Sequence, residues 1–192
     1  MTDRPYPEIE IETATAEDVD KILSLIVDLS AWLETIGILQ WSNSYPRHLI
    51  EDDIKARRVF VVRDKDEIAA TVTLSEKMDS YWTDFPASAI YLHRLAVRRT
   101  DSGKCLGSRL IHWSENKVKT DGISFLRLDC HESNLRLREY YSTLGFRFRG
   151  VRHDANFNID FALFEKDLNR PPTAVRKEIK NENAASADQF GI

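Results

Sequence analysis

Between Ile90 and Lys119 a strand, a glycine-bearing turn and a helix follow one another, an order suited to binding a pyrophosphate. The run Ile90-Tyr91-Leu92-His93-Arg94-Leu95-Ala96-Val97 is long enough for one strand and is bounded by charge. Arg98 to Lys104 is a polar turn. Leu106, Leu110, Trp113 and Val118 then recur as one apolar helical face, with small Gly107 and Ser114 among them. The first amides of a helix have no internal partner, and the helix dipole favours an anion there. Gly103 and Gly107 let backbone and ligand approach closely. The spacing from Gly103 to Gly107, without a following Lys-Ser, does not make a P-loop. Three glycines in Gly-x-Gly-x-x-Gly, the dinucleotide fingerprint, are also missing. By itself the glycine turn is equally an ordinary strand–turn–helix.

A second segment adds to it. Asn134-Leu135-Arg136-Leu137-Arg138-Glu139-Tyr140-Tyr141-Ser142-Thr143-Leu144-Gly145-Phe146 is similar to Asn-x-x-Ala-x-x-x-Tyr-x-x-x-Gly-Phe, with Leu137 in place of Ala. That pattern belongs to the GNAT superfamily, the acyl-CoA-dependent N-acetyltransferases. The superfamily also carries Gln/Arg-x-x-Gly-x-Gly/Ala at a helix start, after a strand often ending in a Leu-Ala-Val-like triplet. Here the triplet is Leu95-Ala96-Val97, followed by Ser102-Gly103-Lys104-Cys105-Leu106-Gly107. Ser102 replaces Gln/Arg and Cys105 replaces the first Gly; the last Gly is kept. Leu163-Phe164-Glu165-Lys166 resembles the family's last strand.

The resemblance spans about Ile9 to Leu168. It implies an α+β fold with a mixed, mostly antiparallel six- to seven-stranded sheet flanked by about four helices. The activity it implies is transfer of an acetyl group from acetyl-CoA, as co-substrate, to a primary amine of a small molecule or peptide. The amine attacks directly in a ternary complex, and no metal is implied. The backbone of Leu95, Ala96 and Val97 is implied to meet the pantetheine and thioester. Gly103, Lys104, Cys105, Leu106, Gly107 and Ser108 are implied around the phosphates. Asn134 is implied to bond the pantetheine, although capping its own helix explains an Asn there equally. Tyr141 matches the family's Tyr that hydrogen-bonds or protonates the departing sulfur. A thiol near about 8.5 and a phenol near about 10 are close enough for that transfer. Tyr140 lies about 100° further round the helix, so one tyrosine can face the sheet and the other the cofactor. A CoA-binding module with lost catalysis, suggested by Ser102 and Cys105, and an acyltransferase for a longer acyl-CoA remain alternatives.

The base for the amine is open among His93, Glu76, Asp129 and Glu132. His93, on the central strand, has the most suitable starting pKa. Asp129 is also a candidate acceptor-site residue. In Asp129-Cys130-His131, adjacent strand residues point to opposite faces, so Cys130 and His131 make a poor nucleophilic dyad. Cys105 at a helix start invites thiol chemistry, but Cys is also small enough to stand in for Gly.

The remaining elements must position these groups. Ile9 to Thr13 alternates as a first strand; Thr15 caps a helix with Val19, Ile22, Leu23, Ile26, Leu29 and Leu33 inward, stopped by Gly37. The segment Leu39 to Pro46 is a loop, and a short helix runs from Pro46 to Ala56. The family's loop here lies over the acceptor pocket, so Trp41 and Tyr45 are candidate walls; covering the helix pair would use them equally. Arg58 to Arg63 and Glu67 to Leu74 form a hairpin about Asp64-Lys65-Asp66. In the loop Glu76 to Pro86, Tyr81, Trp82 and Phe85 with Asp84 could hold an organic ammonium by cation–π contact and charge. The same aromatics could simply pack on one another. Ser124 to Cys130 is a strand, Asn134 to Thr143 a helix, and Phe146–Val151 with Asn158–Glu165 an antiparallel pair.

The 192 residues are 42% hydrophobic and 30% charged, with a formal net charge of -4. That balance fits one soluble domain, 1–168, with a polar, mobile tail from 169 to 192. Arg170, Arg176, Lys177 and Lys180 outnumber the tail's acids, so the body is more acidic than the whole. A basic nucleic-acid-binding face is thereby disfavoured. No apolar run approaches the roughly 20 residues that span a bilayer. Two cysteines, Cys105 and Cys130, set up neither a disulfide framework nor a zinc spacing. A cytoplasmic monomer or homodimer is the expectation.

Overall fold

The computed structural model describes residues 9–38, 40–41, 44–78, 80–85, 88–155 and 158–170. Leu39 in the loop, and the polar tail from Pro171 onward, lie outside the described residues. Among the described residues the fold is α+β, one seven-stranded sheet with four α-helices. The strands are β1 (Glu12–Thr13), β2 (Val59–Asp64), β3 (Glu67–Ser75), β4 (Ala89–Val97), β5 (Phe125–His131), β6 (Arg147–Asp154) and β7 (Ile159–Asp167). The helices are α1 (Val19–Thr35), α2 (Arg47–Lys55), α3 (Leu106–Thr120) and α4 (Leu135–Thr143). Strand order is β1-β2-β3-β4-β5-β7-β6, antiparallel throughout except for the parallel pair β4–β5. No described helix is long and apolar enough to cross a membrane.

Alternation along the strands sorts their side chains onto two faces. Val62, Val72, Leu92, Leu95, Val97, Leu126, Leu128 and Cys130 pack with Leu106, Leu110 and Ile111 of α3 and Leu137 and Tyr141 of α4. On the other face Val59, Val61, Ile68 and Ala96 meet Ile22, Ile26, Leu29 and Leu33 of α1 and Ile50 and Ile54 of α2. Near β5 and β7 that second face is covered instead by the 80–85 turn, through Trp82, Tyr91 and Leu163.

α1 ends as its sequence predicts. Gly37 takes φ 77°, and the Ile38 N–H returns to the Leu33 carbonyl at 2.9 Å. Its start differs: a 3-10 turn, Ala16–Asp18, precedes it. The Asp18 carboxylate accepts from the Thr15 N–H at 2.8 Å and the Thr15 hydroxyl at 3.1 Å. The first strand is shorter than alternation suggests, because only Glu12 and Thr13 find partners, Val61 and Phe60 on β2.

Asp18 also ties this corner to the sheet. It is 3% exposed and accepts from both terminal nitrogens of Arg63, at 2.8 and 2.9 Å. The Arg63 guanidinium holds the Asp18 carboxyl below its ordinary value of 3.8; burial opposes this and the Thr15 N–H assists it. A lowered carboxyl pKa contributes stability above the unfolded value and loses it as pH falls through the folded one. Asp18→Asn is therefore expected to cost about 2 kcal/mol at pH 7, the scale of a lost charge-assisted bond. In urea titrations the gap between wild type and variant should close as pH drops below about 4.

Candidate active site

β4 pairs with β5 only at Ala89↔Phe125, Ile90↔Leu126 and Tyr91↔Arg127. Beyond Tyr91 the two strands part, while β4 stays paired with β3 as far as Val97 and β5 with β7 as far as His131. No described strand fills the opening, so the backbone of buried Leu95 (4% exposed), Ala96 (0%) and Val97 (2%) lacks strand partners on the β5 side. Buried N–H and C=O groups are nearly always satisfied, so an edge of this kind is fit for a ligand's amides.

The parting coincides with a bulge. Thr71 pairs with Ala96 but Thr73 with His93, so three steps on β4 match two on β3. Arg94 takes φ 50°, and the bulge keeps Leu92 and Leu95 on the same core face. Arg94 is tied down on the α1–α2 side: it pairs with Asp53 of α2 and donates to the Tyr45 hydroxyl at 3.0 Å and the Thr73 hydroxyl at 3.2 Å.

At the open end of β4 lies the loop to α3. A 3-10 turn, Arg99–Asp101, leads through Gly103, at φ 81°, to Cys105, the N-cap of α3, at φ 56°. The first intrahelical bond is from the Arg109 N–H to the Cys105 carbonyl at 3.1 Å, leaving the amides of Leu106, Gly107 and Ser108 ahead of it. The Ser108 hydroxyl donates to the same carbonyl at 3.0 Å. Leu106 and Gly107 are buried, so the helix start is anchored in the core. Asp101, 2% exposed, braces the loop through Arg98 at 2.5 Å and Lys104 at 2.6 Å. Burial opposes its ionisation, but those two cations outweigh it and hold the carboxyl below its ordinary range. The Lys104 side chain is 58% exposed beside the free amides. The arrangement offers an anion a helix N-terminus, backbone donors and a cation.

α4 follows β5. Asn134 caps it, its Oδ1 accepting from the Leu137 N–H at 3.1 Å, while its Nδ2 donates to Gln40 Oε1 at 3.3 Å. The segment after α1 thus reaches from the β4 side of the opening to the β5 side. Trp41, partly buried on the α1–α2 core, accepts from the Ser30 hydroxyl at its carbonyl; Tyr45 packs there too. Tyr140 and Tyr141 both enter the core beneath α4, at 2% and 4% exposure, so burial by itself does not separate them. Tyr141 packs among Tyr140, Phe146 and Phe164. Burial, with Cys130 and Tyr140 nearby, raises its phenol well above the ordinary value of 10. Cys130 is a neutral thiol pushed up to about 12 by burial and the Asp129 charge, unsuited to nucleophilic work.

The aromatic loop corrects an expectation. Trp82 is 0% exposed and is not an open pocket wall. The cation it holds is the protein's own: Arg127, 1% exposed, lies 5.1 Å from the Trp82 ring, 5.7 Å from Phe85 and 5.9 Å from Tyr91. Arg127 also donates to Glu165 at 2.9 Å, the Phe85 carbonyl at 2.9 Å and the Tyr91 hydroxyl at 3.1 Å. Asp84, the acid of that loop, pairs with Arg152 at 2.7 Å.

The base candidates separate likewise. Glu76 follows Ser75, which pairs with Tyr91, and so lies at the closed end of the strands. Glu132 is engaged by Arg138 at 2.5 Å. His93 on β4 and Asp129 on β5 are partly exposed residues of the two strands that part. His131 shares the Asp129 face of β5 at the end of the opening. Among the described residues no group of three or more His, Cys, Asp or Glu could hold a metal ion.

A seven-stranded α+β sheet, parted beside a helix-start amide loop, defines an acyl-CoA-type transferase architecture, and comparison gives the family. The model of the acetyltransferase (GNAT) family matches residues 26–146, and the chain belongs to that family. It is 35% identical over 163 residues to the uncharacterized N-acetyltransferase YesJ of Bacillus subtilis (strain 168), covering 81% of this chain and 88% of that one. A GNAT-family acetyltransferase structure from Listeria monocytogenes 4b F2365 superposes with TM-score 0.70 at 29% identity, covering 83% of this chain and 94% of that one. The paia N-acetyltransferase from Thermoplasma acidophilum, solved in complex with coenzyme A, shares the fold with TM-score 0.62 at 19% identity, covering 83% and 99%. The chain is an acyltransferase, and its co-substrate is acetyl-CoA.

The left-handed Cys105 sets up a stability test. Glycine there removes a penalty of about 1–2 kcal/mol and adds flexibility worth about 0.5–1 kcal/mol. Cys105→Gly should melt at or slightly above wild type. Cys105→Val, β-branched at positive φ, should melt several degrees lower by calorimetry.

Proposed function

We propose that the protein transfers the acetyl group of acetyl-CoA to the primary amine of a small molecule or peptide by direct attack in a ternary complex. The observation that carries this reading is the parted β4–β5 pair, whose open backbone edge at Leu95 to Val97 is followed, after the loop 98–105, by the amides at the start of α3. That is one continuous track, fit for a chain of amides ending in a pyrophosphate. The backbone of Leu95, Ala96 and Val97 takes the pantetheine amides and the thioester oxygen. Gly103, Lys104, Cys105, Leu106, Gly107 and Ser108 surround the phosphates. Asn134 would exchange its Gln40 contact for the pantetheine while still capping α4.

The chemistry supplied by acetyl-CoA is a thioester carbonyl open to attack. Backbone donors on β4, fixed by the bulge, meet the negative charge that develops on its oxygen, without reorganising as it forms. Tyr141, kept protonated by burial, donates to the departing sulfur. Trp41 and Tyr45 lie on the α1–α2 side, where the amine would enter. Cys105 and Cys130, buried and not joined in a disulfide, suit a reducing compartment such as the cytoplasm.

Acetyl-CoA should stabilise the purified chain by about 2.7 kcal/mol at a hundredfold excess over its dissociation constant. A thermal shift of that size is expected, with markedly less from ATP or NAD. No shift at millimolar acetyl-CoA would remove the reading. A panel of alkylamines, scored by free-thiol release, then identifies the acceptor class, and an acyl-CoA panel tests chain length.

Tyr141→Phe removes a hydroxyl but leaves a ring packed on Phe146 and Phe164, so folding should survive. Its turnover should fall by about ten- to a thousandfold with acetyl-CoA affinity little changed. Tyr140→Phe, on the adjacent position, should remain within a few-fold of wild type in the same assay.

A further inference from the structure

The transfer reading leaves one proton without a destination. Most alkylamines are cations at neutral pH, and an ammonium has no lone pair with which to attack. Arg127, Asp129 and His131 alternate with Leu126, Leu128 and Cys130 along β5, and the latter three face α3 and α4. His131 therefore stands on the face opposite the Tyr141 core, where β5 ends beside the opening.

The environment of His131 is unusual. Its Nε2 is buried, yet among the described residues it has no hydrogen-bond partner. Its Nδ1 lies 3.3 Å from the Ser133 hydroxyl, and Phe161 flanks the ring at 6.0 Å. With the proton on Nδ1 and donated to Ser133, Nε2 holds the lone pair. A buried acceptor without a donor is what an incoming N–H group would satisfy. Asp160 of β7, paired with His153 of β6 at 2.8 Å, is the charge that acts on it; Asp129 shares its face of β5, and Glu132, the next residue, is held by Arg138 of α4. Burial lowers the imidazole pKa and the Asp160 charge only partly opposes it, so the ring is neutral at pH 7.

We infer that His131 is the general base of the reaction, its Nε2 accepting a proton from the acceptor's ammonium; this rests on the amine-transfer reading above. The nitrogen so freed forms the C–N bond as the C–S bond breaks. The second ammonium proton leaves nitrogen in that step and reaches the sulfur by way of the Tyr141 hydroxyl, while the first passes from Nε2 to water. Ser133 acts as a positioning residue, fixing the tautomer. An imidazole is a better proton acceptor from an ammonium than a carboxylate such as Asp129, by about two pKa units.

The test uses the full chain and two readouts. In the first, the imidazole signals of wild type and H131Q are compared by NMR as pH is varied, with CoA alone and with CoA plus n-butylamine. The signal missing from H131Q should titrate below about 6.5 and should move when n-butylamine is added. In the second, thiol release from acetyl-CoA is followed between pH 6 and 10 with the alkylamine the panel selects. H131Q should lose about 10²- to 10⁴-fold near pH 7, and the loss should shrink as pH approaches the amine's own pKa. S133A should show a smaller loss with the same pH dependence. A loss equal at every pH, a signal indifferent to the amine, near-wild-type H131Q, or a pH-dependent loss in H93Q instead would each overturn the assignment. If wild type transfers acetyl and H131Q does so equally well, only the base assignment falls. Wild type that binds acetyl-CoA yet acetylates no amine removes the amine reading, and the inference with it.

Discussion

The functional architecture depends on one constraint: β4 and β5 run parallel and pair for three residues, then separate. A continuous ladder would satisfy every backbone group and leave nothing for a ligand. Separation leaves a buried edge on β4, which costs stability unless something outside the chain completes it. The opening is thus a gap in a sheet whose β1–β2, β2–β3, β5–β7 and β6–β7 ladders run the length of the shorter strand.

Both ends of this gap are held. At the closed end Arg127 of β5 bonds Tyr91 of β4 and Glu165 of β7, and fills an aromatic cage of Trp82, Phe85 and Tyr91. A charge this buried persists only because each direction offers it a carboxylate, a carbonyl, a hydroxyl or a ring face. At the open end the Arg94 bulge turns β4 aside, and its guanidinium anchors the turn to Asp53 and Tyr45. Two arginines thus brace the gap, one at its last strand pair and one anchoring the bulge beyond it.

The faces of the opening differ in chemistry. Toward α3 and α4 it is apolar, with Tyr141 and Cys130 both held neutral by burial. On the opposite face β5 presents Asp129 and His131, and β4 bears His93 next to the Arg94 anchor. On the proposed reading, the sulfur is protonated from the α3–α4 side of the sheet and the ammonium loses its proton on the other.

The sequence by itself determined the elements and much of the cofactor loop. Helical spacing identified α1 and α3, apolar runs bounded by turns or charge identified β2 to β4, alternation identified β5, and Gly37 and Asn134 marked a helix end and a helix start through local backbone chemistry. Those features depend on neighbours a few residues away, so they are written in order along the chain. Only the tertiary structure decided that Trp82 packs on Arg127, 45 positions later, and not on a ligand. Only it showed that Tyr140 and Tyr141 share one core, because α4 sinks into the sheet deeply enough to bury more than one stripe. The parting of β4 from β5 depends on a bulge at a non-glycine residue held by distant Asp53, which no propensity of Arg94 announces. His131 lies beside Phe161 at the end of the β5–β7 ladder, with an Nε2 that is buried and has no partner among the described residues, and an isolated histidine in a sequence carries no mark of either.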